Sequence, residues 1–134
     1  MTPISSTDNA RSRVNESALS FAISRVQETF KHIDGLVLNA GTLEPLCRIG
    51  STETSLSQWK SHFDVNFFSL VTAMQAALPA LRKSKMGGKI VFVSSGAAVK
   101  GNPGWGPYSA SKAAMNSLCR YVLVLISPGM TPIL

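Results

Sequence analysis

The residues Ile90-Val91-Phe92-Val93 followed by Ser94-Ser95-Gly96 decide how this chain folds. The four apolar residues form a run too short for a helix and typical of a strand that is buried on both faces of a parallel sheet. The small polar residues and the glycine that follow favour a turn. A loop rich in Gly and Pro then covers residues 97–107, and the next apolar spacing predicts a helix over residues 108–121.

The same alternation extends toward the amino terminus. Apolar side chains at every third or fourth position predict a helix that is capped by Asn15 and ends near His32. A second short run, Leu36-Val37-Leu38, predicts another strand buried on both faces. Residues 57–82 then predict a long helix that begins at a Ser57 cap and is bent or ended by Pro79. The order α-β-α-β-α predicts an α/β fold, the central part of a Rossmann-like doubly wound parallel sheet.

Length and composition predict one globular domain. The chain has 134 residues, of which 45% are apolar and 15% charged. The sequence shows neither an apolar run long enough to span a bilayer nor a secretory signal, so we expect a cytoplasmic protein without a membrane partner.

The charge is unevenly distributed. Thirteen Lys and Arg against seven Asp and Glu leave a net charge of +6, which favours anionic partners in general. The densest basic stretch, residues 82–89, surrounds Gly87-Gly88 and has no interleaved aromatic residues. It is therefore predicted to be a solvated loop, and nucleic acid is not an expected partner.

The cysteines and histidines do not predict a metal site. Cys47 and Cys119 are far apart and lie outside any CxxC pattern, so both are expected to be reduced thiols. His32 and His62 have no further ligand residues at metal-binding spacing and are interpreted as surface or packing residues.

Four polar residues could take part in proton chemistry. Tyr108 and Lys112 are four residues apart at the start of a helix, so they share a face, and an ammonium close to a tyrosine stabilises its phenolate. Ser95, at a strand end, could donate a hydrogen bond to a carbonyl oxygen, although a turn-forming serine would look the same. Asn66 lies in a very apolar helix, where it requires either a solvent-facing position, the expectation from the residue alone, or a polar partner.

Four motifs in register resemble the short-chain dehydrogenase/reductase family. They are Asn39-Ala40-Gly41, Asp64-Val65-Asn66, Val93-Ser94-Ser95-Gly96 and Tyr108-Ser109-Ala110-Ser111-Lys112, and the resemblance covers roughly residues 15–121. Within the family, residues 41–45 and 64–69 are most similar to fungal carbonyl reductases akin to benzil reductase and sepiapterin reductase.

The resemblance implies an NAD(P)H-dependent carbonyl reductase that acts on a small carbonyl substrate. Tyr108 would be the general acid, and Lys112 would assist it and hold the nicotinamide ribose. Ser95 would bind the carbonyl oxygen, and Asn66 would join a water-mediated proton relay to Lys112. Asn39 and Gly41 would flank the adenosine side of the cofactor, with NADP slightly favoured by the subgroup.

The sequence departs from the family pattern at both ends. A Gly-rich turn between a strand and a helix, which would receive the cofactor pyrophosphate, is not found among the ten glycines. We therefore divide the chain into a non-matching segment 1–14, the central family portion 15–121, and an apolar strand-like tail 122–134 with Pro128-Gly129. Weak or absent binding of NAD(P)H is expected.

Two other functions stay open. The chain could be a non-catalytic fragment that acts through association of helices, since in the family the helices at 57–82 and 108–121 pack between subunits and imply a homo-oligomer. The small side chains of the second helix, which would permit close approach, are Ala110, Ala113, Ala114 and Ser117. Binding of an anion or a nucleic acid rests on net charge alone and is the weakest interpretation.

Overall fold

The computed structural model describes residues 16–46, 48–51, 55–125 and 131–133. Within these residues helices and strands alternate along the chain, with a π-helical turn between two of the helices and a 3-10 turn after the second strand. The elements are α1 Glu16–Phe30, β1 Gly35–Leu38, α2 Leu56–Phe63, the π turn Asp64–Phe68, α3 Ser69–Leu81, β2 Lys89–Phe92, the 3-10 turn Gly96–Ala98, α4 Gly106–Leu125 and β3 Thr131–Ile133.

The three strands form one parallel sheet in the order β1-β2-β3. Gly35 pairs with Lys89 and Leu38 with Phe92, and the Val93 amide extends the ladder by donating to the Leu38 carbonyl at 3.0 Å. Each pair of neighbouring strands is connected by helices, as parallel pairing requires. The predicted fold class, a partial Rossmann-like α/β sheet, is confirmed.

The core lies between the sheet and its helices. Ile90 and Phe92 of β2 are 0% and 1% exposed, and they pack with apolar side chains of α3 and α4 such as Leu70, Leu81 and Met115. Val91 is half-buried and Val93 is 38% exposed, because successive side chains of a strand point to opposite faces. The expectation that the run 90–93 is buried on both faces is therefore wrong for the face that carries Val91 and Val93.

The expectation that Leu36-Val37-Leu38 is buried on both faces is wrong. Leu38 is 4% exposed, whereas Val37 is 65% exposed. β1 is an outer strand, and right-handed crossovers that run in one direction across a sheet place their helices on the same face. Val37 points to the other face, which these helices do not cover.

Several helix boundaries differ from the prediction. α1 ends at Phe30, since Lys31 adopts a positive φ of 66°. The cap of α2 is Ser55, two residues before the predicted Ser57, because Ser55 and Gln58 form a reciprocal capping box. Pro79 lies within the last turn of α3 and does not break it. The Asn15 cap lies outside the described residues.

The strand-like tail predicted from residue 122 is also corrected. α4 continues to Leu125, and Val122 is buried in the core at helical spacing from Cys119 and Met115. Apolar residues that continue the helical period extend a helix that is already formed. The strand of this tail is β3, at Thr131–Ile133, and Pro128-Gly129 lies outside the described residues. Among the described helices, none is both long and apolar enough to cross a bilayer.

The turn between α3 and β2 depends on Gly88. A Cβ atom at this position would lie 2.5 Å from the Leu81 carbonyl oxygen and 3.0 Å from the Leu81 Cβ. We expect Gly88→Ala to lower the free energy of unfolding by about 1–3 kcal/mol, because the nearest obstructing atom is a backbone oxygen and the turn must open. Urea denaturation measures this change.

Gly101→Ala is the matched control, since its Cβ would have no atom within 4 Å. We expect the control to change stability by less than about 0.5 kcal/mol. Equal effects of the two substitutions would show that the close approach at Gly88 does not constrain the turn.

Candidate active site

A buried asparagine connects three segments at the carboxyl edge of the sheet. Asn66 is 0% exposed. Its Oδ1 accepts from the Thr42 amide at 2.6 Å, and its Nδ2 donates to the Thr42 carbonyl at 2.8 Å and to Ser111 Oγ at 3.0 Å. The solvent-facing position expected for Asn66 from the residue alone is wrong, since its amide is satisfied by a loop and by α4.

The π turn places Asn66 at this position. One extra residue in the turn shifts the helical register, and such turns occur frequently at functional sites. The Ser69 hydroxyl donates to the Val65 carbonyl at 2.6 Å and so provides a partner for a carbonyl within the turn. Both hydrogens of Asn66 Nδ2 are used, so one lone pair of Oδ1 is left for a further donor.

Lys112 is the second buried polar group of the site. Its side chain is 4% exposed, and Nζ donates to the Val93 carbonyl at the end of β2 at 2.8 Å. Within the described part of the chain, no carboxylate lies within 4.0 Å of Nζ. Burial therefore lowers the pKa of Lys112 below its ordinary value, because desolvation disfavours the charged amine.

Gly41 leaves open space beside both groups. A Cβ at Gly41 would lie 3.5 Å from Asn66 Oδ1 and 3.5 Å from Lys112 Nζ. The two polar atoms are therefore within twice that distance of one another. A side chain at this position would lie in contact with both polar atoms.

Tyr108 lies one helical turn before Lys112 at the start of α4. Lys112 Nζ is 5.8 Å from the centroid of the Tyr108 ring. Trp105 packs edge-on against the same ring, with centroids 5.8 Å apart and planes at 88°. The Trp105 indole therefore covers one side of the Tyr108 ring.

Ser95 and Asn39 follow the ends of β2 and β1 and so lie at the same edge. The Ser95 hydroxyl accepts from the Ala97 amide at 3.2 Å and caps the 3-10 turn. Asn39 is exposed. The structure thus brings Gly41, Asn66 and Lys112 into one cluster, with the Tyr108 ring next to Lys112. Ser95 follows two residues after Val93, whose carbonyl Lys112 binds.

Several residues of the site were missed by the sequence analysis. Thr42 and Ser111 are the partners of Asn66, and Ser111 also donates to the Tyr108 carbonyl at 2.7 Å. Ser94 donates to Asn116 Oδ1 at 2.5 Å, which fastens the end of β2 to α4 one turn beyond Lys112. Asn116 follows Lys112 by four residues, so its position on the same helix face could have been inferred from the sequence. Thr42 binds Asn66 through its backbone, which side-chain patterns do not reveal.

The His62 ring contacts the loop after β1. It is 2% exposed, and its ring nitrogens lie 2.9 Å from the Gln58 carbonyl and 3.0 Å from the Leu43 carbonyl. This agrees with its interpretation as a packing residue. Among the described residues, no group of three or more side chains could hold a metal ion.

An open cleft of about 450 Å³ lies beside the start of α4. It is formed where the loop after β1 faces the loop before α4, and the Cβ of Leu46 would be 3.6 Å from a Cβ placed on Gly104. Its lining residues are Arg48, Ile49, Asn102, Pro103, Gly104 and Gly106.

Comparison with known proteins identifies the family of the chain. The family model for short chain dehydrogenases matches residues 12–127. A benzil reductase ((S)-benzoin forming) of Saccharomyces cerevisiae is 43% identical over 104 residues, which are 76% of this chain and 40% of the relative. An uncharacterized oxidoreductase of Schizosaccharomyces pombe is 44% identical over 105 residues, 78% of this chain and 39% of the relative.

Solved structures show the same fold. A short-chain dehydrogenase/reductase from Saccharomyces cerevisiae superimposes with a TM-score of 0.77 at 34% identity, over 88% of this chain and 46% of that one. A short chain dehydrogenase from Shigella flexneri complexed with NADP gives a TM-score of 0.76 at 27% identity, over 87% of this chain and 47% of that one.

The chain belongs to the short-chain dehydrogenase family. It spans about 40% of the length of these curated relatives. The described residues fit one part of the cofactor: buried Lys112 next to the open space at Gly41 suits a hydroxyl-bearing ribose.

Replacement of Asn66 tests the cluster. Asn66→Leu preserves most of the volume but leaves the Thr42 amide and the Thr42 carbonyl without their partner. It also removes the donor to Ser111 Oγ, whose own hydrogen bond to the Tyr108 carbonyl remains. Each unpaired buried group costs about 1–3 kcal/mol, so we expect a loss of at least about 2 kcal/mol in the free energy of unfolding, measured by urea denaturation.

Gln75→Leu is the control, because it makes the same type of change at an exposed position of α3. We expect it to have an effect below about 0.5 kcal/mol. If Asn66→Leu were equally mild, the hydrogen bonds of Asn66 would contribute nothing to the fold.

Proposed function

We propose that this chain carries the catalytic residues of an NAD(P)H-dependent carbonyl reductase that acts on a small carbonyl compound. The observation that carries the proposal is the burial of Lys112 one turn from Tyr108, with Nζ bound to the end of β2. A buried lysine without a nearby carboxylate is costly, and such positions are candidates for functional sites.

The chain's own residues have distinct roles in this proposal. NAD(P)H, when bound, supplies the hydride that reaches the carbonyl carbon. Tyr108 gives its phenolic proton to the carbonyl oxygen, and the Lys112 ammonium stabilises the phenolate that is left. The Ser95 hydroxyl donates a hydrogen bond to the same oxygen and stabilises its developing negative charge.

Asn66 takes part through the one lone pair of Oδ1 that remains. Since Lys112 Nζ and Asn66 Oδ1 both face the space at Gly41, a water there could bond to each and pass a proton toward Lys112. Asn39 and Gly41 would flank the adenosine side of the cofactor. NADP preference rests on the subgroup resemblance, and the relative complexed with NADP is compatible with it.

Self-association through residues 57–82 and 108–121 belongs to the same proposal. Phe68 is 52% exposed at the end of the π turn, and Ala113 and Ser117 are exposed on α4, so both helices present surfaces for close packing. Sedimentation velocity measures the oligomeric state. A single monomeric species at all concentrations would contradict self-association. The prediction of a cytoplasmic location and the division at residues 14 and 121 stay predictions.

We expect the chain alone to bind NADPH with a dissociation constant of about 1 mM or weaker, equivalent to about 4 kcal/mol. The sequence contains no Gly-rich turn that would present amides to the pyrophosphate. Nicotinamide fluorescence titration measures the affinity, with the Saccharomyces cerevisiae benzil reductase as the positive control. Micromolar binding would show that the pyrophosphate is held by other residues.

The catalytic roles are tested in a chimera, with residues 15–121 replacing the matching segment of the benzil reductase. We expect Tyr108→Phe to lower the turnover of benzil by about 10²- to 10⁴-fold while NADPH affinity stays near that of the parent chimera, because only the proton donor is removed. Lys112→Ala is expected to impair both.

Tyr121→Phe is the matched control, since Tyr121 is the other tyrosine and is exposed on the same helix. It should keep the parent's turnover. A Tyr108→Phe chimera that retained more than about a tenth of the turnover would show that Tyr108 is not the general acid.

A further inference from the structure

The amino ends of β1 and β2, opposite the candidate active site, carry a cluster of exposed positive side chains. They come from the turn between α1 and β1, from the turn between α3 and β2, and from the first residue of β2. We call this surface the amino-edge patch, and its five cations are Lys31, Arg82, Lys83, Lys85 and Lys89.

Hydrogen bonds hold the two turns together as one surface. The Ser84 hydroxyl donates to Asp34 Oδ1 at 2.5 Å, and the Lys89 amide donates to the Asp34 carbonyl at 2.9 Å. Gly35 and Lys89 are paired in the sheet, so the strands fix the relative position of both turns. Basic residues more than fifty positions apart in sequence are therefore neighbours on a rigid base.

The patch holds most of the chain's excess charge. Asp34 is its one carboxylate, so the five cations leave a local net charge of +4 against +6 for the whole chain. Asp34 lies 3.2 Å from His32 and bonds to Ser84. Within the described residues, none of the five cations has a carboxylate within 4.0 Å.

Lys31 adopts an unfavourable backbone conformation. Its φ is 66°, in the left-handed region that helix ends usually assign to glycine, and its amide donates to the Gln27 carbonyl at 2.9 Å. A lysine at this position is less stable than a glycine would be. Lys31 therefore adds a positive charge to this surface at a position where glycine would be the more stable residue.

Two apolar side chains stand among the cations. Met86 is 77% exposed at the tip of the second turn, and Phe30 is 64% exposed beside Lys31. Two turn tips with lysines around exposed apolar side chains match what a lipid interface requires, namely attraction to anionic headgroups and shallow insertion of apolar groups. Nucleic-acid binding would instead favour several aromatic stacking side chains or an element that enters a groove.

We propose that the amino-edge patch binds the surface of a bilayer that contains anionic lipids, with Met86 and Phe30 inserted among the headgroups. The carboxyl edge of the sheet, with the candidate active site, then faces away from the membrane. The proposal does not depend on the proposed catalytic function. It differs from two sequence predictions, that residues 82–89 are a solvated loop and that the chain has no membrane partner.

Co-sedimentation of the full chain with vesicles tests the proposal. We expect binding to phosphatidylcholine vesicles that contain about 30% phosphatidylserine, little binding to pure phosphatidylcholine, and loss of binding in 0.5 M NaCl because salt screens exposed charges. Each lysine near an anionic surface contributes about fivefold to partitioning, so Lys83→Gln with Lys85→Gln should lower the partition coefficient roughly thirtyfold. Met86→Ser should lower it further.

Lys60→Gln with Lys100→Gln is the matched control, since it removes the same net charge from exposed positions outside the patch. It should leave binding close to that of the parent. Lys31→Gly should weaken binding about fivefold and raise Tm, which separates a binding role from a structural one. Equal losses in the control and patch variants would overturn the proposal, as would equal binding to both vesicle types. Tighter binding of the patch to duplex DNA than to vesicles would overturn it as well.

Discussion

The hydrogen bonds of the buried Asn66 amide are the interaction on which the candidate active site depends. They join the loop after β1, the π turn and α4, three segments that are distant in sequence, through the two backbone groups of Thr42 and the hydroxyl of Ser111. A fully buried amide is tolerated only when its polar atoms are paired. The fold therefore keeps Asn66 only while these segments remain in this arrangement.

Lys112 also connects α4 to the carboxyl edge of the sheet. It reaches from α4 to the Val93 carbonyl, while Ser94, the next residue, is fastened to Asn116 one turn further along the helix. The end of β2 is thus attached to α4 at two successive points, and Ser95 follows directly. Gly41, which has no side chain, lies beside the buried amine, and burial lowers the pKa of Lys112.

The sequence predicted the sheet better than it predicted the environment of its residues. The apolar run at 90–93 and the spacing after Tyr108 located β2 and α4, because both are dominated by local periodicity. Val37 was assigned to a covered face, but its exposure depends on which helices lie over β1, and that is a property of the whole topology. The π turn and the burial of Asn66 also escaped prediction, since the pattern of apolar residues does not reveal a one-residue shift of register.

In the candidate site, too, some residues could be predicted from the sequence and others could not. Tyr108, Lys112, Ser95 and Asn66 could be named from their motifs, whereas Thr42 contributes only backbone groups and is invisible to side-chain patterns. Of the amino-edge patch, the sequence predicted only a solvated basic loop at residues 82–89, because the sheet pairing that brings Lys31 next to it cannot be read from local sequence.

Amide hydrogen exchange at Thr42 tests the central claim most directly. Thr42 lies in a loop outside every helix and strand, yet its N–H donates to the fully buried Oδ1 of Asn66 at 2.6 Å. We predict that this amide is protected to the same degree as those in the middle of α4, since it can exchange only when the cluster opens. Exchange of the Thr42 amide at the rate of an unstructured loop would contradict the account.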